Sequence, residues 1–146
     1  MEYLTNQAGS LEFVNGGTFV RHLVTLSNAL KYPAFLVCPA DAKRMPAPDF
    51  ASGQRGNLSY FLGLEATQSQ PLTMLAGDRN MTSNGVEVSP GVLVLTTSLV
   101  MGWTPEMHNL QGNVALSDGS VQQVNGPRIT ELVRGIGLAT NRLAVP

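Results

Sequence analysis

The chain has 146 residues, with 43% hydrophobic and 13% charged side chains, which fits one domain, 1–146, able to bury its own core and excludes the disordered class. Nine basic against ten acidic residues give a formal charge of −1. They are scattered too thinly for a phosphate-binding face or a polybasic lipid signal, so nucleic acid is not an expected partner.

Residues 1–17 are polar and close on Asn15-Gly16-Gly17, a breaker. Phe19, Leu23, Leu26 and Leu30 then recur at helical spacing, predicting a helix over 18–31 that Thr18 caps and Pro33 stops. Ala34 to Cys38 is a short apolar run between prolines, the pattern of a buried strand. Residues 39–57, rich in proline and charge, read as a long surface loop.

Leu58 to Leu64 and Leu72 to Ala76 predict two further strands, with a turn over 65–71. A polar stretch from Gly77 continues as a loop through Asn84-Gly85. Val92 to Leu95 is continuously apolar and is expected to be a central strand. Asn113 to Leu116 and Val121 to Val124 flank Asp118-Gly119, which predicts a hairpin on a type I′ turn with Leu116 facing Val121. Pro127 then opens a closing helix lined by Ile129, Leu132, Val133 and Ile136, with Gly137 as terminator. The fold class expected is α+β: an antiparallel sheet with an N-terminal and a C-terminal helix packed on it.

Chemistry-bearing residues are few. His22 lies beside the apolar stripe of the first helix and reads as a packed helix residue; His108, in a turn-rich stretch after Trp103, is the more informative of the two histidines. Cys38, the one cysteine, cannot form an intrachain disulfide and reads as a small buried apolar residue rather than a thiolate nucleophile. Nucleophile-elbow, phosphate-loop and His-Glu-x-x-His patterns are missing, so no catalytic residue and no enzyme activity are expected. Asp78, Asn80, Asn84 and Glu87 gather oxygen ligands that would suit calcium, the one cofactor considered, although their spacing is not that of an EF-hand.

From His108 to Asp118-Gly119 the chain reads His, nine residues, Asp-Gly. This resembles the H-x9-DG family of prepilin-type proteins grouped with type II secretion pseudopilins. Leu26-Ser27-Asn28-Ala29-Leu30, Leu36-Val37-Cys38-Pro39-Ala40-Asp41, Asn57-Leu58-Ser59-Tyr60-Phe61 and Ala76-Gly77-Asp78-Arg79-Asn80 look similar as well, in the same order. The resemblance implies a type IV pilin-like head and a structural subunit of a bacterial pilus-like or type II secretion (general secretion pathway) assembly. It also implies pseudopilin or secretion-apparatus subunits as partners, and a periplasmic or cell-surface position. The family's cleavage segment and apolar helix do not stand at Met1-Glu2-Tyr3-Leu4. The expectation is therefore a head whose inner-membrane anchor lies outside this sequence. His108, Asp118 and Gly119 are expected to serve structure, with His108 and Asp118 at opposite ends of one strand. Two rival readings are an extracytoplasmic ligand- or glycan-binding module using Trp103 and the loop from Pro39 to Asn57, and a hydrolase using Cys38 or His108.

Overall fold

The computed structural model describes residues 27–146. Among these residues nine strands form two antiparallel sheets: β1 (Tyr60–Gly63), β2 (Met74–Asp78), β3 (Met81–Ser83), β4 (Val86–Glu87), β5 (Gly91–Val94), β6 (Met101–Trp103), β7 (Gln111–Leu116), β8 (Val121–Asn125) and β9 (Arg142–Val145). The larger sheet runs β5-β9-β1-β2-β7-β8 and the smaller β4-β3-β6. Among the described residues two α-helices stand against them, α1 (Ser27–Leu30) and α2 (Gly126–Gly135), with two 3-10 turns, Pro33–Leu36 and Arg55–Asn57. The fold is β-rich, which corrects the expected α+β, pilin-like arrangement of a sheet between N- and C-terminal helices. Most of the helix expected over 18–31, and His22 with it, lies outside the described residues.

The helix after Pro127 forms as its pattern requires. Asn125 caps it by accepting a hydrogen bond from the Arg128 N–H, and Ile129, Leu132, Val133 and Ile136 are all buried. It is not the closing element, however. Gly137, at φ +67, ends the turn after it, and the chain then enters the larger sheet as β9, between β5 and β1. Leu143, Ala144 and Val145 are consequently among the most buried residues. The Thr130 hydroxyl accepts from the Met101 N–H at 2.9 Å and donates to the Met101 carbonyl at 3.0 Å, joining α2 to β6. One core, with Phe61, Met74, Met81, Met101, Trp103, Val114, Ile129 and Leu143 at its centre, is thus shared by both sheets and the helix.

Other expectations change for local reasons. Ala34 to Cys38 is no strand: Pro33 starts a 3-10 turn, and the Leu36 carbonyl makes a single bond to the sheet region, from the Ser59 N–H at 2.9 Å. The strand predicted at Val92 lies at an edge, not in the centre: it pairs only with β9, and one of its faces is open, with Val92 and Val94 40% and 53% exposed.

The hairpin of β7 and β8 is present, but its turn differs from the one expected. Gly119 alone has positive φ there, at +87, and its N–H donates to the Leu116 carbonyl, so the loop is not type I′. Instead the glycine closes a three-residue loop in the left-handed conformation, and Val121 pairs with Ala115 rather than Leu116. The type I′ signature belongs to Asn84-Gly85, at φ +50 and +81, which joins β3 to β4 where only a polar loop was expected.

Candidate functional site

β2 belongs to the larger sheet up to Asp78, and β3 opens the smaller sheet at Met81, so Arg79 and Asn80 occupy the step between the two. Such a step leaves backbone and side-chain polar groups away from both ladders, and they must be satisfied locally. The Arg79 N–H donates to the Ser59 carbonyl at 2.9 Å, while Asn80 and Thr104 bond twice: Thr104 N–H to the Asn80 carbonyl and Asn80 Nδ2 to the Thr104 carbonyl.

Arg79 is held by Asp41 in a two-pronged pair, Nε to Oδ2 at 2.7 Å and a terminal guanidinium nitrogen to Oδ1 at 2.8 Å. Both side chains are buried. Asp41 is brought there by the turn Cys38-Pro39-Ala40-Asp41, whose N–H closes onto the Cys38 carbonyl at 2.9 Å. Ser59 Oγ donates to Asp41 Oδ2 at 2.8 Å. Burial pushes the Asp41 carboxyl up, but the Arg79 guanidinium, the Ser59 hydroxyl and the Lys43 N–H outweigh it and hold the group below the ordinary aspartate value. Arg79 is correspondingly raised, chiefly by its bonds to Asp41.

A second cluster adjoins the first. Tyr60 and Asp78 face each other across β1 and β2. Asp78 Oδ2 accepts from the Asn113 N–H at 2.6 Å and from Asn113 Nδ2 at 3.0 Å, which ties β2 to β7. His108 Nε2 lies 3.3 Å from the same oxygen and 3.4 Å from Cys38 Sγ. Immediately after His108 the backbone takes two successive left-handed residues, Asn109 at φ +51 and Leu110 at φ +63, before β7 begins. Non-glycine residues there are strained, at about 1–3 kcal/mol each. Burial pushes Asp78 upward, opposed by the Asn113 N–H and by His108. Burial, with Cys38 and Asp78 nearby, pushes the Tyr60 hydroxyl up to about 12, so it remains a proton donor at neutral pH.

The geometry limits what this cluster can do. A catalytic triad uses opposite nitrogens of one imidazole, one toward the nucleophile and one toward the orienting carboxylate. Here thiol and carboxylate both approach Nε2, so the ring cannot relay a proton from one to the other. Among the described residues these three are the only His, Cys, Asp or Glu group whose ligand atoms come together, all within 4.8 Å.

The remaining sequence candidates disperse. Of the calcium candidates, Asp78 and Asn80 are buried at the step, Asn84 Oδ1 accepts from the Val100 N–H at 3.0 Å, and Glu87 is exposed on β4. Asp118 accepts from the Ser120 N–H at 2.8 Å in the exposed hairpin loop, with β7 between it and His108. Its carboxyl is lowered chiefly by Ser120. Trp103 is 4% exposed and lies against Gly112, where a Cβ would meet its ring at 2.5 Å, so it offers no open face for stacking a sugar.

Sequence reasoning did not bring Cys38 to His108 and Asp78, nor Asp41 to Arg79. The signal available was that the short pieces around Cys38, Ser59, Asp78 and His108 each carry a polar residue next to core residues. No protein-family model matches the chain, and no curated protein or solved structure gives a significant match.

Proposed function

We propose that this chain is a structural subunit of a bacterial pilus-like or type II secretion assembly, acting as a β-rich head on the extracytoplasmic side of the inner membrane. One observation carries the reading. The pieces around Cys38, Ser59, Asp78 and His108, which carry the resemblance, converge on the step between the two sheets, where Asp41 accepts from Ser59 and Arg79, and Asp78 accepts from Asn113 beside His108. Residues kept for chemistry would present a nucleophile, an oriented base and a space for substrate. Here Cys38 and Asp78 are buried, and His108 meets both through a single nitrogen. A subunit that works by packing requires a rigid shape, which this arrangement supplies.

The full-length protein, followed in its source bacterium with antiserum against this domain, is expected in the membrane fraction. It should be digested by protease added to spheroplasts and cross-linked to other subunits bearing prepilin-type segments. Recovery from the cytosol, protected from protease and without such cross-links, would remove the proposal. No helix among the described residues is long and apolar enough to cross a membrane.

A further inference from the structure

Cys38, Asp78 and His108 come from three separate segments: the turn after the first 3-10 element, the end of β2, and the strained bend before β7. Chance hydrogen bonding does not explain their arrangement well. One ring nitrogen carries at most one proton, so Nε2 cannot make straight hydrogen bonds to a thiol and a carboxylate at once. Asp78 Oδ1, on a side chain 1% exposed, has no hydrogen-bond partner among the described residues, and a buried carboxylate oxygen without one is costly.

A metal ion removes the first difficulty, because it takes a lone pair from each group and needs no shared proton. With zinc–sulfur at about 2.3 Å and zinc–nitrogen and zinc–oxygen at about 2.0–2.2 Å, a tetrahedral site has an S···N edge of roughly 3.5 Å and an N···O edge of roughly 3.3 Å. The corresponding separations are 3.4 Å and 3.3 Å, and all three ligand atoms lie within 4.8 Å of one another, so closing the sulfur–oxygen edge onto an ion takes a small side-chain movement.

We propose that Cys38, Asp78 and His108 bind a divalent zinc-type ion that fastens the Cys38 turn and the His108 bend to the end of β2. A thiolate with an imidazole selects a borderline or soft cation over calcium or magnesium. Binding releases the thiol proton to solvent and leaves a fourth position for water on the side of His108, the most exposed of the three at 21%. Asn113, donating twice to Oδ2, is the outer partner that orients the carboxylate. Such a staple closes long loops, since Cys38 and His108 stand 70 residues apart. It stands independently of the assembly reading.

Titrating the purified, reduced chain with Co2+ tests it. The expected result is one ion per chain with thiolate-to-cobalt charge-transfer absorption, abolished by one equivalent of Zn2+, and thermal stabilisation by Zn2+. His108→Ala should weaken binding by more than about a hundredfold and Asn113→Ala by about 10–100-fold, the usual loss for an outer partner. Because Cys38 is the chain's one cysteine, the band in the unaltered protein decides the matter even if a ligand variant fails to fold. Binding without that band, no binding by folded protein, or unchanged affinity in His108→Ala would overturn the proposal.

Discussion

Replacing Asp41 with alanine will lower the stability of the domain by about 3 kcal/mol or more near neutral pH, because it leaves the Arg79 guanidinium buried without its carboxylate. That is a large part of the 5–15 kcal/mol typical of a domain. The low end of the range for broken buried pairs, about 3–5 kcal/mol, applies because Glu106 remains 3.6 Å from Arg79 and supplies a partial replacement. By contrast, removing Glu131 from its exposed pair with Arg128 should change stability by less than about 1 kcal/mol.

The Asp41 effect carries a pH signature. Its carboxyl is held below the ordinary value in the folded chain, so the stabilisation is full above the unfolded value of about 3.9 and is lost as pH falls through the depressed folded value. The gap between wild type and Asp41→Ala should therefore narrow as pH drops below about 4. Urea melts of both proteins across that window read it directly, and a gap that widens in acid would show that the pair is not ionised as described.

Gly63→Ala is expected to be as damaging, for a steric reason. A Cβ on this β1 residue would lie 1.7 Å from the Met74 carbonyl oxygen, a backbone atom of the neighbouring strand that cannot rotate away. Overpacking costs about 1–3 kcal/mol when side chains can adjust, and this site should reach or exceed the upper figure. Gly85→Ala makes the comparison, since its Cβ meets nothing within 4 Å and only its φ of +81 is strained. Equal midpoint losses for the two variants would mean that β1 and β2 are not as close as described.

What the sequence made legible was local. The helix after Pro127 announces itself through a proline, four apolar residues on one face and a terminating glycine, and the hairpin strands through short apolar runs about a glycine turn. The fold class failed because it depends on pairings between distant segments. Leu143-Ala144-Val145 is too short to declare a strand, and its place between Gly63 and Leu93 follows from no spacing in the chain. Val92 to Leu95 misled for a related reason: a continuous apolar run marks a central strand only when both faces are covered. At the site, Cys38 was read from its apolar neighbours in sequence, whereas the atom that matters to it belongs to His108, 70 residues away.

The central claim is that the recognisable residues hold the long loop, the sheet step and the His108 bend together as one body. Native-state hydrogen exchange measures this most directly. The account predicts that the N–H groups of Asp41, Ser59, Arg79 and Asn113, each bonded within the two clusters or to the segments beside them, exchange together with those of β1 and β2, only through global unfolding. Exchange of Asp41 and Asn113 through a separate low-energy opening, with β1 and β2 still protected, would contradict it.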